Sequence, residues 1–151
     1  MKKYLYMTLT IIWIGIIFSF SLQVAEKSTV VSDSVGELIL EKAPSNLVSE
    51  STAWTETERD RFHAVVRKCA HFIEFFILGM FMILTMNQTK VTRVMRISLV
   101  LCVVVAAMDE TLQLFVPGRA GLLTDVLLDS FGSFIGILLC VFLMKVRKKH
   151  G

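Results

Sequence analysis

Apolar positions along the chain gather into four long stretches. Residues 4–25 run for 22 positions without a charge. Residues 69–86 are interrupted only by His71 and Glu74, residues 97–116 by Asp109 and Glu110, and residues 126–144 by Asp129. At about 1.5 Å of rise per residue, about 20 apolar residues in a helix cross a hydrocarbon layer about 30 Å thick. Lipid offers no partner to a backbone N–H or C=O, so each stretch is expected to be helical, and runs this long exceed the strands of a barrel. The expected fold is all-α: an integral membrane four-helix bundle forming one domain over residues 1–151.

The charges between the stretches orient them. Lys2 and Lys3 precede the first, Lys90, Arg93 and Arg96 join the second to the third, and Lys145, Arg147, Lys148 and Lys149 follow the fourth. These regions hold nine basic residues and no acidic one, while all 13 carboxylates lie elsewhere. The positive-inside rule then places the N and C termini in the cytoplasm, with a 41-residue outer loop (26–66) and the turn 117–124 outside. A basic start followed by an apolar run and the small residues Ser19 and Ser21 also fits a signal peptide, but the run is longer than the usual core of about 7–15 residues, which favours a retained anchor. Within the outer loop, Ser34 with Glu37 and Thr55 with Glu58 have capping-box spacing. They predict a short helix near 35–42, ended by Pro44, and a second helix running from about Glu56 into the next span. Leu38, Ile39, Leu47, Val48 and Trp54 are then placed to rest on the membrane surface, though a plain solvated loop fits this stretch equally well.

Composition agrees with the hydropathy pattern. Hydrophobic residues make up 54% and charged residues 19%, and a mean hydropathy of +0.66 is too apolar for a soluble domain of 151 residues. With 8 Gly, 2 Pro and 3 Cys among long apolar runs, collagen, a disulfide-stapled mini-protein and a disordered tail are excluded. Cys69, Cys102 and Cys140 all fall within spans and form no disulfide framework. The net charge of +3 sums a basic inner rim and an acidic outer side, so it seats the chain in a membrane and gives no indication of nucleic-acid binding.

Ionisable residues inside a span are costly unless paired or facing a wet cavity, which makes each a functional candidate. On a helix advancing about 100° per residue, Arg67, His71, Glu74 and Leu78 fall within an arc of about 60°. Lys68 sits about 100° away, where it can reach headgroups. Asp109, Glu110 and Gln113 share one side of the third helix, continued by Ala106 and Cys102. Asp125, Asp129, Gly132 and Gly136 repeat the same offsets on the fourth. Glu74, Glu110 and Asp129 lie about 9, 10 and 12 Å below the outer ends of their spans. One shared depth on three antiparallel spans predicts a single polar cavity near the outer face. Gly132 and Gly136 form a G-x-x-x-G seam that allows close helix approach and offers a surface for a homo-oligomer, although such seams more often serve packing. Structural readings stand beside these: Arg67 and Lys68 as interfacial anchors, His71 with Glu74 as an interhelical pair, and Pro117-Gly118 as a tight turn.

No metal site is predicted. The spans hold a single His, with no H-E-x-x-H, no His pair on one helix and no Cys cluster, which argues against a zinc hydrolase. An oxygen-rich site for Mg²⁺ or Ca²⁺ built from Glu74, Asp109, Glu110, Asp125 and Asp129 is the open alternative. No G-x-S-x-G, P-loop or dinucleotide fingerprint occurs, and no other cofactor is indicated.

The same residues carry a resemblance. R-K-C-A-H-F-I-E-F-F-I-L-G over residues 67–79 resembles the R-K-x-x-H-F-x-E-Y-x-x-L-G signature of VanZ-like membrane proteins. Asp109, Glu110 and Gln113 with Phe115, Pro117 and Arg119 resemble that family's D-E-x-x-Q-x-F-x-P-x-R block, and Asp125, Asp129 and Gly132 resemble a third, D-x-x-x-N-x-x-G. The match spans roughly residues 62–143. Phe75 stands where Tyr is usual, which removes a hydroxyl, and the expected Asn is absent or replaced by Ser130. The resemblance implies a multi-pass protein of the bacterial cell membrane, from a family named for a member associated with low-level teicoplanin resistance, and implies no settled chemistry.

Two function classes follow. In the first, the chain binds or modifies an anionic envelope lipid or lipid-linked wall precursor at the outer leaflet and influences glycopeptide susceptibility. Arg67, Lys68 and Arg119 would hold phosphate, with Gln113, Asp125 and Asp129 completing the site, and His71, Glu74, Asp109 and Glu110 would supply acid and base if there is turnover. In the second, the polar groups only lock the bundle of a structural or partner-binding protein. A proton- or ion-coupled transporter has the carboxylates but lacks inverted repeats or broken helices.

Overall fold

A computed structural model describes residues 2–22, 55–89, 91–119 and 121–150. Four α-helices account for them: α1 (Lys2–Ser21), α2 (Glu56–Met86), α3 (Val94–Gln113) and α4 (Leu123–His150). There is no strand among the described residues. The expected helix near 35–42, the apolar loop residues Leu38, Ile39, Leu47, Val48 and Trp54, and Lys90 lie outside them.

α2 starts where the capping box places it. Thr55 accepts from the Glu58 N–H, and the Glu58 side chain accepts from the Thr55 N–H at 2.9 Å, so two end groups of the helix are satisfied reciprocally. From there the helix runs for 31 residues without a break. The third apolar stretch, in contrast, overran its helix. α3 ends at Gln113, and the Phe115 and Val116 N–H groups turn back to Leu112 and Gln113. Pro117 and Gly118 follow, with Gly118 at φ 78° and the Arg119 N–H returning to the Val116 carbonyl, the pattern of a type II turn.

α1, α2 and α4 are long and apolar enough to cross a membrane. α3, at 20 residues, carries Arg96, Asp109 and Glu110 and is more charged than such a span, which departs from the four equivalent spans expected from hydropathy. α2 packs against all three other helices, most extensively against α4, while α1 touches α2 and α3 only. Polarity is inverted relative to a soluble domain. Ser21, Ser98, Asp109, Asp129 and Ser133 are fully buried, and Leu123, Phe115, Phe142, Ile11 and Leu127 stand exposed on the outside.

The α2–α4 seam depends on three glycines. A Cβ on Gly79 would overlap the Ser133 carbonyl, one on Gly136 would overlap the Phe76 carbonyl, and one on Gly132 would lie 2.7 Å from the Phe72 carbonyl. The backbones therefore touch, and Ser133 Oγ donates across the seam to the Phe75 carbonyl at 3.1 Å. Gly132 and Gly136 thus pack against Phe72 and Phe76 of α2 in the same chain. Around the seam, Phe75, Leu78, Ile17, Cys102 and Ala106 form one buried cluster, and Ile83, Ile137 and Cys140 another.

Candidate functional site

Three helices and the α3–α4 turn bring the expected polar residues to one end of the bundle, where α1 joins them. On α3, Asp109 and Gln113 are four residues apart and Glu110 three before Gln113, so the amide Nε2 donates to Asp109 Oδ2 at 3.1 Å and to Glu110 Oε1 at 3.2 Å. Glu110 Oε2 accepts from the Leu122 N–H at 2.9 Å and so ties the turn to the helix beneath it. On α2, His71 Nδ1 stands 3.8 Å from Glu74 Oε2 and 3.8 Å from Asp109 Oδ2. Those separations exceed a hydrogen bond and lie within ion-pair range.

α4 supplies Asp125 and Asp129 one turn apart. Asp125 Oδ1 meets Lys68 Nζ at 2.5 Å. The first turn of α4 lies against α2 and so gives Lys68 a carboxylate partner. The Lys68 side chain remains 43% exposed. Asp129 is fully buried, and neither carboxylate oxygen has a hydrogen-bond partner. Glu74, Asp109, Glu110 and Asp125 all act electrostatically on it. A narrow cleft with an enclosed volume of about 10 Å³, the space of one water or bare ion, is lined by Arg67, His71, Gln113, Asp125 and Asp129 among others.

Above the carboxylates, Arg119 follows the turn with its Nε and Nη1 buried and unpartnered. Burial and the adjacent Arg67 guanidinium pull its pKa below the ordinary value, opposed by Asp109, Glu110 and Glu74. Two guanidinium cations, Arg67 on the cleft and Arg119 after the turn, therefore lie close enough to repel one another beside the acidic cluster.

The cluster also includes a residue that the sequence reading placed elsewhere. Ser21, at the end of α1, is fully buried and donates from Oγ to Asp109 Oδ2 at 2.7 Å. Thr10, Ile17 and Ser21 fall within about 40° of one another on α1, so helical periodicity marks this inward face. Two more contacts hold α1 in register: Trp13 Nε1 donates to the Glu74 carbonyl at 2.9 Å, and the Thr10 and Thr85 hydroxyls meet at 2.8 Å. Where sequence spacing offered no nitrogen-and-oxygen ligand set, the fold brings one ligand atom each from His71, Asp109 and Asp129 within 4.8 Å of one another.

The VanZ/LLP1 family model matches residues 6–144. The chain belongs to this family. The match extends beyond the three motif blocks to take in α1, whose Ser21 completes the Asp109 environment, and most of α4. Neither the curated proteins nor the solved structures contain a match to this VanZ/LLP1 chain.

Proposed function

We propose that this VanZ/LLP1 protein is a multi-pass protein of the bacterial cell membrane that holds the headgroup of an anionic envelope lipid, or of a lipid-linked wall precursor, at its outer rim. Three apolar helices and the inverted polarity of the bundle support seating in lipid. The basic residues outside the outer loop support cytoplasmic termini, which puts the Arg67–Arg119 mouth at the outer leaflet.

The observation that carries the reading is Arg119. A guanidinium with two buried, unpartnered N–H-bearing nitrogens beside a second guanidinium suits a diffuse anion such as phosphate, which accepts from both forks at once. Lys68, held by Asp125, positions the α2–α4 corner. Among the expected acid–base groups, Glu110 is tied to Gln113 and Leu122 and Asp109 to Ser21 and Gln113, whereas the Glu74 carboxylate has no hydrogen bond among the described residues and is the candidate for proton transfer. The purely structural reading draws on those same ties but leaves Arg119 and Asp129 unexplained.

Native mass spectrometry of the full chain released from nanodiscs of phosphatidylglycerol and phosphatidylcholine tests the proposal. The wild type is expected to retain phosphatidylglycerol selectively, and Arg119→Lys and Arg119→Ala to lose that selectivity about tenfold or more while helix content is unchanged. Full selectivity in the Lys variant would remove the bidentate clamp. In cells, teicoplanin susceptibility compared at matched membrane abundance is expected to depend on Arg119 and Arg67. Loss of abundance in every variant would favour the structural reading.

A further inference from the structure

We propose that His71, Asp109 and Asp129 form a binding site for one divalent first-row transition-metal ion, of the class of Zn²⁺ or Mn²⁺. Their ligand atoms converge within 4.8 Å. Independently of that proximity, each residue presents a buried atom with no hydrogen-bond partner: His71 Nδ1, Asp109 Oδ1 and both oxygens of Asp129. Buried polar atoms are nearly always satisfied, and four orphans on three neighbouring side chains, two of them fully buried carboxylates, are what a missing cation would leave.

The surroundings fit an ion. Asp109 is turned by its second oxygen, which accepts from Ser21 at 2.7 Å and Gln113 at 3.1 Å, leaving Oδ1 free; outer hydrogen bonds that orient a ligating carboxylate are a recurring feature of metal sites. Charge points the same way. Glu74, Asp109, Glu110, Asp125 and Asp129 outnumber Arg67, Lys68 and Arg119, an excess of carboxylates that a bound dication would relieve. The imidazole nitrogen selects against Ca²⁺ and Mg²⁺, whose sites are built from oxygen, and three protein ligands leave a position open for water or a substrate oxygen. The rival occupant of the same space is a pair of protons on the carboxylates.

The inference does not rest on the anionic-lipid reading and is tested without added lipid. Full-length protein in detergent, stripped with a chelator, is titrated with Zn²⁺ and Mn²⁺ by calorimetry. About one equivalent is expected to bind. His71→Gln and Asp129→Asn are expected to weaken binding about 100-fold or more, and Asp60→Asn, an exposed carboxylate near the start of α2 and outside the cluster, to leave it within about threefold. Ser21→Ala keeps all three ligands and is expected to bind roughly 10-fold more weakly through the loss of Asp109 orientation. If Asp129→Asn fails to fold, the wild-type stoichiometry together with His71→Gln and Ser21→Ala decides the matter. Absence of binding by folded wild type, equal losses in Asp60→Asn and Asp129→Asn, or unchanged affinity in His71→Gln would overturn the site in favour of protonated carboxylates.

Discussion

Gly79→Ala isolates the contact on which the position of α4 depends. The added methyl would overlap the Ser133 carbonyl and crowd the Ser133 Cα, both of them backbone atoms that cannot rotate away. α2 and α4 must therefore separate locally. Overpacking of a close-packed contact costs typically about 1–3 kcal/mol. Strain on the Ser133-to-Phe75 hydrogen bond adds about 0.6 kcal/mol, the average for interhelical bonds in membranes. Against this stands the helix preference of Ala over Gly, up to about 1 kcal/mol. The expected net is a loss of about 1–2 kcal/mol, or roughly 5- to 30-fold in the ratio of folded to unfolded protein. Gly15→Ala is the matched control, because a Cβ there meets nothing within 4 Å and only the preference term operates. Reversible unfolding in mixed detergent and SDS micelles, followed by helical circular dichroism, reads both. Gly79→Ala should unfold at lower SDS than wild type and Gly15→Ala at equal or higher SDS. Equal stability of the two variants would refute the backbone-contact account of the seam.

Three further outcomes are expected. Ser21→Ala removes the donor to Asp109 Oδ2 and should lower stability in the same assay by about 1 kcal/mol, whereas Ser19→Ala should change it little. A double-mutant cycle on Lys68→Met and Asp125→Asn should return a coupling of no more than about 1 kcal/mol, since the Lys68 side chain is 43% exposed and the pair is screened; a much larger value would mean that the pair is desolvated in the membrane. In intact cells, an impermeant thiol reagent should label Ser51→Cys and spare Arg93→Cys, and the reverse pattern would invert the orientation drawn from the basic residues.

How much of this was legible in the sequence follows from what lipid forbids. A carboxylate in a span cannot face hydrocarbon cheaply, so helical offsets and depth below the span ends are enough to predict that His71, Glu74, Asp109, Glu110, Gln113 and Asp129 share a cavity, and the fold brings them to one end of the bundle. The capping box at Thr55 is equally local and sets the start of α2. Partner choice is not local. Whether Lys68 reaches a headgroup or Asp125 depends on how closely α4 passes α2, and that distance is set by Gly79, Gly132 and Gly136 acting on both helices together. The same limit applied to α3, whose apolar run continues through Leu114–Val116 although Pro117 and Gly118 have already turned the chain.

Ser21 marks the sharper boundary. A hydroxyl at the end of a first apolar helix costs little in lipid because it can bond its own backbone, so it carries none of the signal that a carboxylate carries. Its importance arises only because α1 packs beside α3 at the level of Asp109, in a register held by Trp13 on the Glu74 carbonyl and by Thr10 on Thr85. By bonding Asp109 Oδ2 together with Gln113, Ser21 holds that carboxylate beside His71 and Asp129 and leaves Oδ1 without a hydrogen-bond partner. The first helix thus bears on the chemistry of the site through one hydrogen bond. A chain without α1 would retain all three motif blocks of the family and still lack the group that aims the central carboxylate.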